Sequence, residues 1–299
     1  MSAPLPHPLP FVLTLVADPA AFPLSPALVA RVRAATGAGA PDWLAVAEAA
    51  DLPLPAPPDP NALATALAGA PVDALVTAAA GRRKRLLVAD MDSTIVTGET
   101  LDELANFAGL KDPIAAITTR SMNGEIDFAT ALRERVAMLR GLPVTALEAT
   151  WARMRLTPGA AALVATMRAR GARTALVSGG FTFFTGRVAA LVGFDLHRAN
   201  VLEHDGTALT GTVAEPILDR DAKLVTLRAL CAELAIDEAA AVAVGDGAND
   251  LAMLGAAGLG VAFRAKPVVA AVARARVDHA GLRAVLFAQG YRAEEISGG

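Results

Sequence analysis

The alternation of apolar runs and loops predicts an α/β fold: a doubly wound parallel sheet with an inserted helical cap, preceded by a small α+β domain. Three observations carry this. Four short apolar runs, Arg85–Ala89, Thr174–Val177, Ala241–Val244 and Leu259–Ala262, are separated by segments of helical pattern, as parallel strands are separated by crossover helices. The first three runs stop at polar or glycine-rich residues, and in such sheets ligands sit beyond the carboxyl ends of the strands. Between the first two runs lie roughly eighty mostly helical residues, far more than a crossover needs.

Before the first run, Phe11–Ala17 reads as a strand. Ser25-Pro26 offers an N-cap followed by Pro at the first helical position, opening a helix over Ala27–Thr36. Trp43–Ala47 is a candidate second strand and the Pro-rich stretch Pro53–Pro60 a loop. Asn61 is a candidate cap for a helix through Ala68, and Val72–Thr77 a last strand. The composition shift at Gly81–Arg85 marks the domain boundary, giving domains at 1–81 and 82–299, with the cap at about 98–157. Within the cap, Thr100-Leu101-Asp102-Glu103 reads as a capping box and Phe128–Leu139 as a helix. Thr157-Pro158 starts the helix that returns to the core.

Composition narrows the function. The 299 residues are 54% hydrophobic and 19% charged, enough for a sizeable core. Net charge is -3, from 27 basic and 30 acidic residues, which argues against a nucleic-acid-binding surface. The basic run Arg82-Arg83-Lys84-Arg85 is short and reads as a solvated linker. The lone Cys231 excludes an internal disulfide, fits a reducing compartment and reads as core filler. One Cys and the scattered His7, His197, His204 and His279 build no metal cluster, so a metal here is expected to be held by oxygen. Phe11–Ala17 is too short for a membrane span and lacks the flanks of a secretory signal. No membrane partner and a cytoplasmic location are therefore expected.

The chemistry lies at the strand ends. Asp90 and Asp92, two residues apart, leave a strand on one side, an arrangement favourable beside a divalent cation. Ser178-Gly179-Gly180 places a hydroxyl and accessible backbone N–H groups at a second strand end, as an anion cradle requires. Lys223 stands just inside a helix start, and Gly245-Asp246-Gly247-Ala248-Asn249-Asp250 forms a tight acidic loop before a helix over Leu251–Leu254. Each of these segments alone also fits an ordinary turn or helix start.

In this order, Asp-x-Asp-x-Thr, Ser-Gly-Gly, Lys and Gly-Asp-Gly-x-Asn-Asp, the chain resembles the haloacid dehalogenase superfamily of phosphotransferases from about Lys84 onward. Within it the resemblance is closest to the phosphoserine phosphatases. Glu99-Thr100, Met122-Asn123-Gly124-Glu125-Ile126-Asp127-Phe128 and Leu132-Arg133-Glu134-Arg135 carry that likeness.

The resemblance implies a haloacid dehalogenase-like core and Mg²⁺-dependent hydrolysis of a phosphorylated amino acid, O-phospho-L-serine. Asp90 would attack phosphorus and Asp92 would act as acid and base. Asp90, the Asp92 backbone carbonyl and Asp246 would hold the metal, supported by Asp250. Ser178, Gly179, Lys223 and Asn249 would meet phosphate. Glu99 would meet the substrate ammonium and Arg135 its carboxylate, under an apolar lid of Met122 and Phe128. An alcohol such as homoserine as acceptor, another phosphorylated metabolite, or an amino-acid-sensing regulatory protein are the competing readings. The N-terminal element pattern loosely resembles an ACT-type domain, which would bind an amino acid or mediate homodimerisation.

Overall fold

The computed structural model describes residues 9–122 and 125–298. His7, the side chain of Met122, and Asn123 and Gly124 of the cap motif lie outside the described residues. Among the described residues no helix is long and apolar enough to cross a membrane.

The N-terminal unit runs β1 (Phe11–Ala17), α1 (Pro26–Thr36), β2 (Asp42–Ala45), β3 (Ala49–Leu54), α2 (Pro60–Leu67) and β4 (Val72–Ala78). Its antiparallel sheet has the order β2-β3-β1-β4, the β-α-β-β-α-β arrangement of ferredoxin-like units. Ser25 caps α1 by accepting from the Leu28 N–H at 3.2 Å, and Gly37 ends it in the left-handed region at φ 66°. The helix α2 departs from expectation, because Asp59, not Asn61, is its cap, with Pro60 as first helical residue.

The strand β3 replaces part of the expected loop. It lacks polar alternation because both its faces are covered. Ala50, Leu52 and Leu54 pack under α1 and α2, while Ala49 joins the core of the larger unit and Asp51 points the same way. Pro53 is tolerated because pairing with β2 ends at Asp51.

The larger unit begins with β5 (Leu86–Ala89). The cap follows as α3 (Thr100–Ala108), α4 (Lys111–Met122), α5 (Phe128–Ala137) and α6 (Thr145–Arg153). The chain returns through α7 (Ala160–Ala169), β6 (Arg173–Phe181), α8 (Thr182–Val192) and β7 (Leu196–Asn200). A hairpin of β8 (Leu202–His204) and β9 (Leu209–Val213) precedes α9 (Ala222–Glu233) and β10 (Ala241–Gly245). The last elements are α10 (Leu251–Ala256), β11 (Leu259–Phe263), α11 (Pro267–Ala270), β12 (Ala275–Val277) and α12 (Arg283–Ala288).

The six core strands are parallel in the order β12-β11-β10-β5-β6-β7. Leu86, Val88, Ala175, Val177, Ala241 and Ala243 face α9 and α10, with Cys231 packed among them. Leu87, Ala89, Leu176, Val242 and Val244 face α7, α8 and α12. The sheet is therefore doubly wound. Two expected helix starts are displaced: α7 begins at Ala160 after Gly159, not at Thr157-Pro158. Thr100 is the first residue of α3 and makes no capping box; its N–H is taken by the Asp92 carboxylate at 2.7 Å.

The basic run is only partly solvated: Arg83 and Arg85 are exposed, whereas Arg82 and Lys84 are half-buried. The Arg82 guanidinium pairs with Asp51 at 2.6 Å and donates to Thr14 Oγ1 and to the carbonyls of Phe287 and Ala288. Thr14 also donates to Asp51 at 2.7 Å. Arg82 thus joins the two units through a largely dry network. Replacing it with Met leaves Asp51 buried without its cation, so Arg82→Met is expected to cost about 3 kcal/mol. A urea denaturation midpoint indistinguishable from the parent would contradict this.

Candidate active site

Each strand of a parallel sheet ends with carbonyls and loops at one edge, so the polar ends of β5, β6 and β10 meet there. They enclose a cavity of about 130 Å³ with α3 and α5 of the cap as its roof. Asp90, Asp92, Glu99, Phe128, Arg135, Ser178, Gly179, Asp246 and Asn249 all line it. Lys223 and Asp250 stand behind the wall. Of the expected residues only Met122 falls outside the described side chains.

Asp90 directly follows β5, and its N–H donates to the Val244 carbonyl at 2.9 Å, which aligns it with the end of β10. The chain then turns sharply, with Ser93 left-handed at φ 55° and its N–H on the Gly98 carbonyl. That turn swings Asp92 under the cap. Asp92 Oδ1 accepts the Thr100 N–H, and Oδ2 accepts the Ser178 hydroxyl at 3.2 Å. Ser178 Oγ in turn accepts the Gly180 N–H at 2.9 Å. Burial, with Glu99 adding to it, pushes the Asp92 carboxyl up to about 6, against the hydrogen bonds from Thr100 and Ser178. It can therefore hold or release a proton near neutrality.

Lys223 is almost wholly buried, with Nζ 2.8 Å from Asp90 Oδ1 and 2.6 Å from Asp250 Oδ1. Burial works against its charge, but Asp90 and Asp250 outweigh burial and raise its affinity for the proton. Asp250 Oδ2 accepts the N–H groups of Asp246 and Gly247, at 3.1 and 2.9 Å. Gly245 is required here, since a Cβ on it would collide with the Asp250 carboxylate.

Ligand oxygens of Asp90, Asp246 and Asp250 lie within 4.8 Å of one another. Burial, with Asp250 and Asp92 adding to it, pushes the Asp90 carboxyl well up despite Lys223. Burial also pushes up Asp246, where Lys266 opposes it. Buried carboxylates in excess of their lysines are what a hard divalent cation neutralises, and their oxygens are the donors such a cation takes. The donor set fits a metal. Because Asp250 is already committed to Lys223 and two amides, Asp90 and Asp246 carry the freer oxygens.

In the cap, Glu99 and Arg135 share the cavity. Glu99 Oε1 accepts the Ser93 hydroxyl at 3.1 Å, while Arg135 donates Nε to the Ala131 carbonyl at 3.2 Å. Phe128 sits on the Ser-Gly-Gly loop: a Cβ on Gly179 would stand 3.2 Å from its ring.

Two residues were not legible as site residues. Lys266, at the start of α11, places Nζ 3.5 Å from Asp246 and 3.6 Å from Glu99, bridging core and cap. Its Ala-Lys-Pro setting reads as a plain helix start. Asn200 ends β7 and holds the Ser-Gly-Gly loop through Nδ2 to the Gly179 carbonyl at 2.9 Å. Its strand, Leu-His-Arg-Ala-Asn, has no strand-like pattern.

The chain is similar to the phosphoserine phosphatase of Streptomyces coelicolor, 43% identical over 238 residues, 79% of this chain and 58% of that protein. It therefore spans little more than half of that relative. Among solved structures, a hydrolase of the same superfamily from Salmonella enterica superposes with a TM-score of 0.81 at 30% identity. That match covers 93% of this chain and 97% of the other. A phospho-aspartyl intermediate analogue of a phosphoserine phosphatase superposes with a TM-score of 0.63 at 37% identity. It covers 69% of this chain and 98% of the other. The model of the haloacid dehalogenase-like hydrolases matches residues 87–255, from the strand that delivers Asp90 through the loop that delivers Asp246 and Asp250. The chain belongs to the haloacid dehalogenase-like hydrolase family.

Proposed function

We propose that the chain hydrolyses O-phospho-L-serine to L-serine and phosphate, the last step of serine biosynthesis, in the cytoplasm. The observation that carries this reading is one cavity holding two kinds of group. Paired carboxylates and a hydroxyl–glycine cradle stand at its floor, and a carboxylate and a guanidinium, Glu99 and Arg135, at its roof. A phosphorylated amino acid presents the complementary set: phosphate, ammonium and carboxylate.

In this mechanism an Asp90 carboxylate oxygen attacks phosphorus as the ester P–O bond breaks, and Asp92 gives its proton to the leaving serine oxygen. Asp92 then takes a proton from water as that water attacks the aspartyl-phosphate, freeing phosphate and restoring Asp90. Asp90, Asp246 and the Asp92 backbone carbonyl would hold Mg²⁺, which supplies charge neutralisation on the phosphate. Lys223 favours the charged form of Asp90 against the burial that opposes it, and orients it from behind. Ser178 and the Gly179 amide bind phosphate oxygens, and Asn249 stands at the cavity wall to assist. Glu99 and Arg135 bind the amino-acid head, and Phe128 excludes water above the cradle. By its element order the N-terminal unit would be an ACT-like, amino-acid-binding or dimerising domain.

Phosphate release over a panel of phosphorylated metabolites, with and without Mg²⁺ and with added homoserine, tests the reading. A marked preference for phosphoserine is expected. Equal rates across the panel would reject the substrate, and phosphate appearing on homoserine instead of in solution would reject water as acceptor. Glu99→Gln and Arg135→Ala should each raise KM for phosphoserine about 10- to 100-fold, the worth of a charged hydrogen bond. Hydrolysis of p-nitrophenyl phosphate, which lacks the head group, should change little.

A further inference from the structure

Outside the active site, a cavity that combines apolar walls with charge of one sign lies at the seam of the two units. A cavity of about 430 Å³ opens between β4 and the α10–β12 edge of the core, within the range of small-molecule pockets, which favour domain interfaces. Its walls include Val76, Leu254 and Val272. Its charged lining residues among those described are Arg82, Lys84 and Arg274, all cationic, with no carboxylate.

Of these, Arg82 is committed to Asp51. Lys84 Nζ donates to the carbonyls of Gly81 and Ala239 at 2.9 and 2.8 Å, leaving its third proton unclaimed and its charge without an anion among the described residues. Burial accordingly pulls the Lys84 ammonium below its usual range. Arg274 is exposed at the rim and makes no hydrogen bond or ion pair among the described residues. An ammonium with no anion beside it and an unpaired guanidinium thus line one apolar-walled cavity, and an anion with acceptor oxygens would serve both.

We propose that this seam cavity is a binding site for a small organic anion with an apolar body, distinct from the catalytic cavity. The anionic group sits toward Lys84 and Arg274, and the apolar body lies against Leu254 of α10. Because Leu251, also in the wall, directly follows Asp250, the occupant rests on the back of the loop that holds Lys223.

The full chain titrated with 8-anilinonaphthalene-1-sulfonate, followed by fluorescence, tests this. One saturable equivalent is expected. Arg274→Glu, at an exposed side chain without partners, should weaken binding about tenfold or more. Gly255→Leu should abolish it, because a Cβ on Gly255 meets open space and the longer side chain fills the cavity. Phosphate release should be unaltered in both variants. No saturable binding, binding unchanged in Arg274→Glu, or equal binding of uncharged N-phenyl-1-naphthylamine would each overturn the assignment. If Gly255→Leu fails to fold, the Arg274→Glu result decides.

Discussion

Asp90→Asn is expected to lower the rate of phosphate release by about 10⁴-fold or more, the scale of losing a covalent nucleophile, while the protein stays folded. The amide keeps the shape of the carboxylate and can still accept from Lys223, but it cannot attack phosphorus. Stability should hold or rise. The carboxylate is buried, and burial with Asp250 and Asp92 beside it already disfavours its charge, so a neutral group removes a cost. Lys223 retains Asp250 at 2.6 Å. Steady-state phosphate release and a urea denaturation curve on the same preparation check both parts. Turnover within tenfold of the parent would remove Asp90 from the nucleophile's role, and an unfolded variant would show that its charge is structural.

Lys223→Met should be the most damaging change to stability at the site, costing about 3–5 kcal/mol, because two buried carboxylates lose their shared cation. Activity should fall with it even in the folded fraction, since Asp90 would be pushed toward its protonated, non-nucleophilic form. The cost lies in uncompensated charge more than in lost packing, so a second change makes the cause testable. Lys223→Met with Asp250→Asn should recover part of the stability, as the amide oxygen still accepts from the Asp246 and Gly247 N–H groups. It should not recover activity. A double variant no more stable than Lys223→Met would mean that the loss comes from elsewhere in α9.

The strands that carry the candidate site were legible because they are short apolar runs buried on both faces, and their ends were legible because carboxylates and glycines interrupt those runs abruptly. Where a strand broke that rule it was missed. The strand β3 carries Asp51 and Pro53, which read as loop residues until Arg82 and the end of β2 pairing account for them. The strand β7 carries His197 and Arg198, exposed at its edge. Helix starts shifted for a related reason. Thr100 looks like a cap by local pattern, yet the group that takes its N–H is Asp92, eight residues earlier and held there by the left-handed turn at Ser93.

The linear order of Asp90, Ser178, Lys223 and Asp246 is enough to determine the family and the class of chemistry, because parallel strands must deliver their carboxyl ends to one edge. Which charges meet was decided only by the tertiary structure. Lys223 turns inward between Asp90 and Asp250, Lys266 bridges Asp246 and Glu99, Asn200 pins the glycine loop, and Arg82 closes the seam on Asp51. Most of these partners lie tens to hundreds of residues apart, and none is set by a local period. They are brought together by the packing of the sheet, the cap and the N-terminal unit, and by the need to pair each charge that the packing buries.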